Sequence, residues 1–483
     1  MKSSRIALSL ACAAMVASCG GSSGGGATGN VPTPTPTVSP TPTPTPTTAQ
    51  CSLSSRQAWT LAQLQEWYLF PTLLNTGINA SNFATVQDYI DALVAPARSQ
   101  SKDRFFTYIT SIAEENAFFQ QGVSAGFGIR LGYDTAARRV FVIEAFEGAP
   151  ALGQNLDRGA ELLAIGTSEA TLQTVNSLMA SQGPQGVINA LGPDTAGTTR
   201  VIRFRDASGI ERTASFSKTE YALDPVSDRY GTKIINDGGK QVGYINLRTF
   251  IDTAAPDLMD AFADFKAAGV TELVIDLRYN GGGLISIAEL MGDLMGEGRA
   301  GQVFDRITYR DSKSQFNSEY LFDPGPPSIQ PTKIAFIATG GTASASEMVI
   351  NGMQPYLPNT ALALIGENTF GKPVGQIALD QSACDDRLRV IAIAVENAAG
   401  NADYFTGLAD TVPNTCRAQD DITAQLGDPN EAMISVALDF LEGGAAACTP
   451  IAGGPATTQR LRDRDFLRPA RPDTRQRNVP GIF

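Results

Sequence analysis

Residues 366–373 read GENTFGKP and follow the apolar run ALALI. The pattern fits a phosphate loop, G-x-x-x-x-G-K-[ST], except that Pro373 stands where a hydroxyl should hold Mg²⁺. The proline also pushes Lys372 toward extended backbone, so a helix cannot start across that bond. Lys372 therefore needs another use. A lysine shielded from water can be a general base, because desolvation lowers its pKa from about 10.4 toward 7–8. Gln376, four residues on, can hold the amine by a hydrogen bond without recharging it as a carboxylate would. Hydroxyls for such a base to act on are present in GGTASASEMV (340–349), which puts small residues and hydroxyls at a strand-to-helix turn. A serine hydroxyl is a poor nucleophile and needs such a base beside it. A third stretch, VIDLRYNGGG (274–283), is a buried strand ending in Asn280 and three glycines, whose bare N–H groups suit an oxyanion. Plainer readings exist for the same residues. Ser344–Glu347 is S-x-x-E, a helix capping box, and Lys372 can be a surface charge. Arg278 is expected to make a structural ion pair, with Asp276 or Glu347 as the candidate partners.

The chain has no histidine among its 483 residues. That removes Ser-His-Asp triads, Cys-His pairs and every His-based metal site. A net charge of −12 argues against general nucleic-acid binding. No metal or cofactor is expected.

The elements that must position these side chains follow from the pattern of apolar residues. Over residues 220–448, QVGYINL, TELVIDL, KIAFIAT and TALALIG read as strands. TAAPDLMDAFADFKAAG, GLISIAELMGDLMG and ASEMVINGM read as helices between them. This alternation predicts an α/β fold with crossovers and a largely parallel sheet. Residues 51–122 carry helical spacing broken at Pro71 and Pro96, and read as a packing region. Residues 123–219 hold short β-type runs, GFGIRLGYD, RRVFVIEAF, ELLAIG and TRVIRFRD, with one helix, TLQTVNSLMASQ.

Together the three motifs resemble the S41 type of tail-specific, or C-terminal processing, peptidases. Ser344 with Ala-Ser-Glu after it matches that family's nucleophile segment, residues 369–372 match its T-F-G-K, Gln376 its glutamine, and residues 276–283 its D-L-R-x-N-x-G-G. The resemblance implies a crotonase/ClpP-like α/β protease core with an inserted PDZ-like β domain and an N-terminal helical region. It implies a Ser344–Lys372 dyad supported by Gln376, and oxyanion donors at the N–H of Gly282 or Gly283 and of Ala345. SAGFGIRL and the segment after it resemble a PDZ domain, whose loop, here Gly126, Phe127, Gly128 and Ile129, would offer N–H groups to a peptide's terminal carboxylate. The neighbouring strand edge would take the peptide by β-augmentation. The implied activity is endoproteolysis of unstructured or C-terminally tagged proteins through an acyl-enzyme, without cofactor. The alternatives are a catalytically silent peptide-binding or chaperone-like relative, and a crotonase-type acyl-CoA enzyme.

The start of the chain, MKSSRIALSLACAAMVASCGG, has a short basic stretch, an apolar stretch and a small-residue site, which is a secretory signal over residues 1–18. VASC resembles a bacterial lipobox, implying lipidation of Cys19, attachment to the cell envelope and, by analogy, an outer membrane facing the periplasm. A plain signal peptide is the alternative. Residues 19–50 are Gly/Ser- and Thr/Pro-rich and read as a stalk. Cys51, Cys384, Cys416 and Cys448 then suggest two disulfides. The expected pairs are Cys384–Cys416, close in sequence, and Cys51–Cys448, which would tie the chain ends. Residues 449–483 have little apolar content and read as a disordered tail. Its apolar end, VPGIF, is nonetheless the kind of ligand a PDZ groove accepts, and docking there is the competing expectation.

Overall fold

In the computed structural model, residues 49–452 and 464–483 are described. The expected signal, Cys19 and residues 19–48 of the stalk lie outside them. Among the described residues no helix is long and apolar enough to cross a membrane.

The sheet expected from the alternating strands and helices is present. Lys240–Asn246, Glu272–Asp276, Lys333–Ala338, Leu362–Gly366 and Thr415–Arg417 lie side by side and run parallel. Thr232–Asp237 closes one edge antiparallel to Lys240–Asn246. Alternate strand residues go to opposite faces. Ile245, Ile275, Phe336 and Leu364 pack with the helices Ala254–Ala267, Ile285–Leu294 and Ala345–Met353. Tyr244, Val274, Ile337 and Ile365 pack against Ala432–Gly443. Burial on both faces explains why these strands read as nearly continuous apolar runs. The carboxyl ends of three adjacent strands lead into the three motif loops, which is where open α/β sheets carry their sites.

A second sheet was not apparent in the sequence. The long strand Asp386–Asn397 pairs with Tyr108–Ser111, Val303–Tyr309 and Val374–Gln381, and Ser318–Leu321 extends it. The helix Leu53–Trp67 rests on this strand through Leu64, Leu388 and Ile391. Residues 51–122 are thus a helical region that also supplies a strand, Tyr108–Ser111, to the core. The third unit is a β lobe. Ile129–Asp134, Arg139–Ala145, Glu161–Gly166, Thr199–Arg205 and Glu211–Ser217 form its antiparallel sheet, with the helices Val175–Gln182 and Pro184–Leu191 against it.

Two expectations need correction. The disulfides are Cys51–Cys384 and Cys416–Cys448. The first forms because Cys51 precedes the helix that lies on Asp386–Asn397, while Cys384 sits in the turn that starts that strand. The second joins an edge strand to the chain after Ala432–Gly443, across the same 32-residue separation that made Cys384–Cys416 attractive. Separation alone could not choose between them. The other correction is the tail. Within 449–483, residues 464–483 are ordered against the rest of the protein. Asp465–Phe466 adds to the edge of Ile129–Asp134, Thr474–Asn478 is a short helix, and Val479, Ile482 and Phe483 are buried. The few apolar residues suffice because each enters an existing apolar cluster instead of having to build one.

Candidate active site

The three motif loops meet at the sheet's carboxyl edge. Thr342 Oγ1 donates to Leu277 O at 2.8 Å, Ala343 N to Asn280 O at 3.0 Å, and Phe370 N to Thr342 O at 2.8 Å. Ser344 ends the turn with φ 58° and ψ −116°, a conformation a non-glycine residue adopts only when its surroundings impose it. The imposing group is Glu347. This fully buried carboxylate accepts from Ser344 N (3.0 Å), Gly371 N (2.6 Å) and Lys372 N (2.7 Å). Burial raises its pKa, against the lowering effect of these bonds and one from Thr369. It therefore binds the serine turn to the lysine loop through one side chain. The capping-box reading of Ser344–Glu347 holds for the helix Ala345–Met353, and it coexists with this latch. Glu347 is not Arg278's partner. Arg278 pairs with Asp276 and Glu431, all three buried, and with Asp420.

Lys372 Nζ donates to Gln376 Oε1 at 2.8 Å and lies 4.9 Å from the centre of the Phe106 ring. Gln376 in turn donates to Phe106 O, which fixes the side on which its oxygen faces the amine. Burial, helped by the cations Arg477 and Arg389, brings the lysine from 10.5 down to about 7, while Glu347 and Asp103 pull the other way. The surface-charge reading of Lys372 does not fit this setting. Sequence reasoning missed the support from residues 103–107. Asp103, fully buried, accepts from Tyr68, Thr107 and Phe106 N. It holds Phe106 against the lysine, while Arg104 donates to Phe370 O at 2.9 Å. The signal was a charged pair beside two aromatics in DRFF, inside a region read only as packing.

The glycine loop departs from expectation. Gly282 lies against Ser344, since a Cβ there would sit 2.8 Å from the serine Cβ. Its N–H, however, donates to Asn280 Oδ1 at 2.9 Å, so it is taken in this conformation. Gly283 is packed on Phe250, whose carbonyl a Cβ would meet at 2.1 Å. The amide that holds a carbonyl is Gly281, bonded to Asn478 O at 2.9 Å. Ala345 N is the first N–H of the helix after Ser344 and has no partner within that helix by geometry. The β lobe reaches this loop directly. Arg130 donates to Tyr279 O at 2.7 Å and Arg158 to the Tyr279 hydroxyl at 2.9 Å.

In the β lobe, Gly126, Phe127, Gly128 and Ile129 form a tight turn into the edge strand. Gly128 has φ 76°, and a Cβ there would overlap Ala149. The N–H groups of Gly128 and Ile129 both point at Phe483 O, at 3.0 and 3.2 Å.

Residues 241–404 match the model of peptidase family S41. The chain carries a peptidase family S41 domain. All three motif loops lie within that match. A carboxyl-terminal-processing protease of Synechocystis is 24% identical over 339 residues, covering 69% of this chain and 72% of its own. One of Picosynechococcus is 26% identical over 256 residues, 52% of this chain and 55% of the relative. For a chloroplastic carboxyl-terminal-processing peptidase of Arabidopsis thaliana the identity is 27%, and 46% of that relative is covered. The chain thus spans about half the length of several relatives it matches. A crystal structure described as an S41 protease from Bacteroides fragilis shares the fold, with TM-score 0.60 and 23% identity over 80% of this chain and 97% of that one.

Proposed function

We propose that this protein is a serine endopeptidase in which Ser344 is the nucleophile, Lys372 the general base and Gln376 the group that orients the base. The observation that carries the reading is a lysine brought to about 7, held by a neutral amide oxygen at 2.8 Å, and joined through Glu347 to the serine turn. Ser344 Oγ attacks a peptide carbonyl while Lys372 takes its proton. Lys372 passes that proton to the leaving amine and then takes one from water to hydrolyse the acyl-enzyme. Ala345 N–H and a glycine amide of residues 281–283 would face the oxyanion, favoured by the N-terminal end of the helix Ala345–Met353. Gly282 can serve once its amide turns from Asn280.

The β lobe is read as a PDZ domain whose turn at Gly126–Ile129 takes the apolar end of an unstructured protein. This fits the glycine N–H pair and the apolar cluster of Phe127, Ile129 and Phe216 beside it. A silent peptide-binding relative would have no need for a base tuned near neutrality. Export and lipid attachment at Cys19, on an outer membrane facing the periplasm, complete the reading. Cys19→Ser should then release the protein from the membrane fraction. The deciding experiment is digestion of an unfolded, casein-like protein by the wild type and by Ser344→Ala, with thermal melting of both. Loss of cleavage with unchanged melting is expected. Cleavage by the variant at the wild-type rate would end the proposal.

A further inference from the structure

The last residues of the chain occupy both places at which the proposed function needs a substrate. In the groove, residues 481–483 run antiparallel to the edge strand as a strand would. Leu131 N donates to Gly481 O at 2.8 Å, Phe483 N to Ile129 O at 2.8 Å, and the N–H groups of Gly128 and Ile129 close on Phe483 O. The Phe483 ring is 2% exposed, among Phe127, Ile129, Val187, Leu191 and Phe216. In the cleft of about 800 Å³ that holds Lys372 and Gln376, Gln476, Arg477, Asn478 and Pro480 form one wall. Asn478 O takes the Gly281 N–H at 2.9 Å, and Arg477 donates to Phe105 O at 2.5 Å with its guanidinium 3.9 Å from the Tyr108 ring. Just before both places in the sequence the segment is pinned to the β lobe. Arg475 pairs with Asp194 at 2.7 Å and donates to Ala125 O, one residue before the Gly126 turn.

We infer that residues 473–483 are a resident ligand of the protein's own groove and cleft, which a polypeptide with an apolar end must displace to enter. Three features support a ligand over an ordinary structural segment. Its main chain uses N–H and C=O groups of an edge strand, the mode by which sheets take peptides. A carbonyl of the segment sits on the amide of Gly281, next to the glycine that lies against Ser344 and within the loop proposed to bind a substrate carbonyl. Its charged anchor, the largely buried Arg475–Asp194 pair, can part without stranding the aspartate, because Asp194 also accepts from Lys218 at 2.6 Å.

A tethered ligand competes at an effective concentration on the order of millimolar. The apparent affinity of a free peptide falls in proportion to the fraction of sites left open. Displacement should therefore matter by on the order of 10- to 100-fold for a segment whose intrinsic Kd is about 10–100 μM.

The inference rests on the peptidase reading, and its test is separable from it. In the full chain carrying Ser344→Ala, binding of a fluorescent Arg-Asn-Val-Pro-Gly-Ile-Phe peptide is measured with and without Phe483→Asp. The aspartate would face Phe127 and Phe216 and should expel the segment. Peptide binding on the order of 10-fold tighter or more is expected. Arg475→Ala, which leaves the lobe's apolar cluster intact, is the second variant and should tighten binding several-fold. If Phe483→Asp lowers the melting temperature, the Arg475→Ala result decides. Unchanged peptide affinity in Arg475→Ala, or in a normally melting Phe483→Asp, overturns the inference. Casein turnover with Ser344 restored reads the activity separately. Tighter peptide binding without any turnover would remove the peptidase reading and leave the resident ligand standing. Turnover with unchanged peptide affinity would do the reverse.

Discussion

Replacing Lys372 by methionine separates the base it is proposed to supply from the burial it endures. An ordinary lysine at pH 7 is a free amine in roughly 0.03% of molecules. With its pKa near 7, about half of the Lys372 population is free, a gain of about a thousandfold in competent base. Between pH 6 and pH 8 the free fraction rises from roughly 9% to roughly 91%, so wild-type kcat/KM on casein should climb about tenfold and then level off. The stability consequence has a definite sign. Below pH 7 the folded and unfolded chains both carry the proton, and the folded one bears the full desolvation cost. Between about 7 and 10.5 the unfolded chain binds one proton more, so the cost shrinks as pH rises. A drop of three to four pKa units sets a ceiling of roughly 4–5 kcal/mol. Loss of the Gln376 bond and the Phe106 ring contact offsets part of that, leaving a gain of about 1–3 kcal/mol for Lys372→Met at pH 6. Urea unfolding at pH 6 and pH 9 measures it, with the activity profile taken on the wild type. Lys372→Met should be inactive, more stable than wild type at pH 6, and closer to it at pH 9. A variant destabilised at pH 6, or a wild-type rate whose midpoint lies above pH 9, would refute the reasoning.

Glu347→Gln leaves one acceptor oxygen where the carboxylate serves three N–H groups, and turns an NH₂ toward a donor. It should lower kcat at least tenfold with little change in KM, and cost about 1–3 kcal/mol of stability. A changed KM with an intact kcat would contradict a positioning role. Removing the Cys51–Cys384 bond by Cys51→Ser with Cys384→Ser frees the helix Leu53–Trp67 from the strand it rests on. The double variant should unfold about 2–4 kcal/mol more easily, read by urea titration. If Cys384→Ser with Cys416→Ser left the Cys51 thiol blocked, the pairing would be wrong.

The parts of the fold that depend on one residue type at one place were legible in the sequence. A buried parallel strand must be a short apolar run, so TELVIDL and KIAFIAT could be placed, and the glycine and serine motifs at their ends fell where sheets of this kind carry chemistry. What escaped depends on partners distant along the chain. Asp386–Asn397 contains the apolar run VIAIAV (390–395) and could have been read as a strand, but nothing local says that Tyr108–Ser111 lies beside it. The supporting residues of the lysine share this property. Phe106 touches Lys372 only because the second sheet brings residue 108 to the strand that pairs with Val374–Gln381. The tail misled for a different reason. Its composition cannot build a core, but Phe483 needs only a place in a core already built. The amide of Gly282 shows the limit of motif transfer, since its hydrogen-bond partner is the side chain of Asn280 two residues earlier.

The division of labour between Glu347 and Gln376 explains how a lysine can be a base so close to a carboxylate. A carboxylate facing Nζ would form a charge-assisted bond and hold the proton on. Here the Glu347 oxygens are spent on Ser344 N, Gly371 N, Lys372 N and the Thr369 hydroxyl, donors that carry no proton titrating near neutrality. The amine instead meets an amide oxygen, which accepts from the neutral and the charged form alike. Arg477 adds a positive charge on the far wall, contributed by the resident segment, and that charge lowers the lysine further. Departure of the segment therefore has two opposed effects on rate. It opens the cleft, and it removes a charge that keeps Lys372 deprotonated. Arg477→Gln isolates the second effect, because the groove anchors at Gly481–Phe483 and Arg475 remain. Its pH–rate midpoint on casein should move upward relative to wild type, toward the ordinary lysine value. A midpoint that stays in place would mean that burial and Arg389 alone set the base, and that the segment acts only by occupying space.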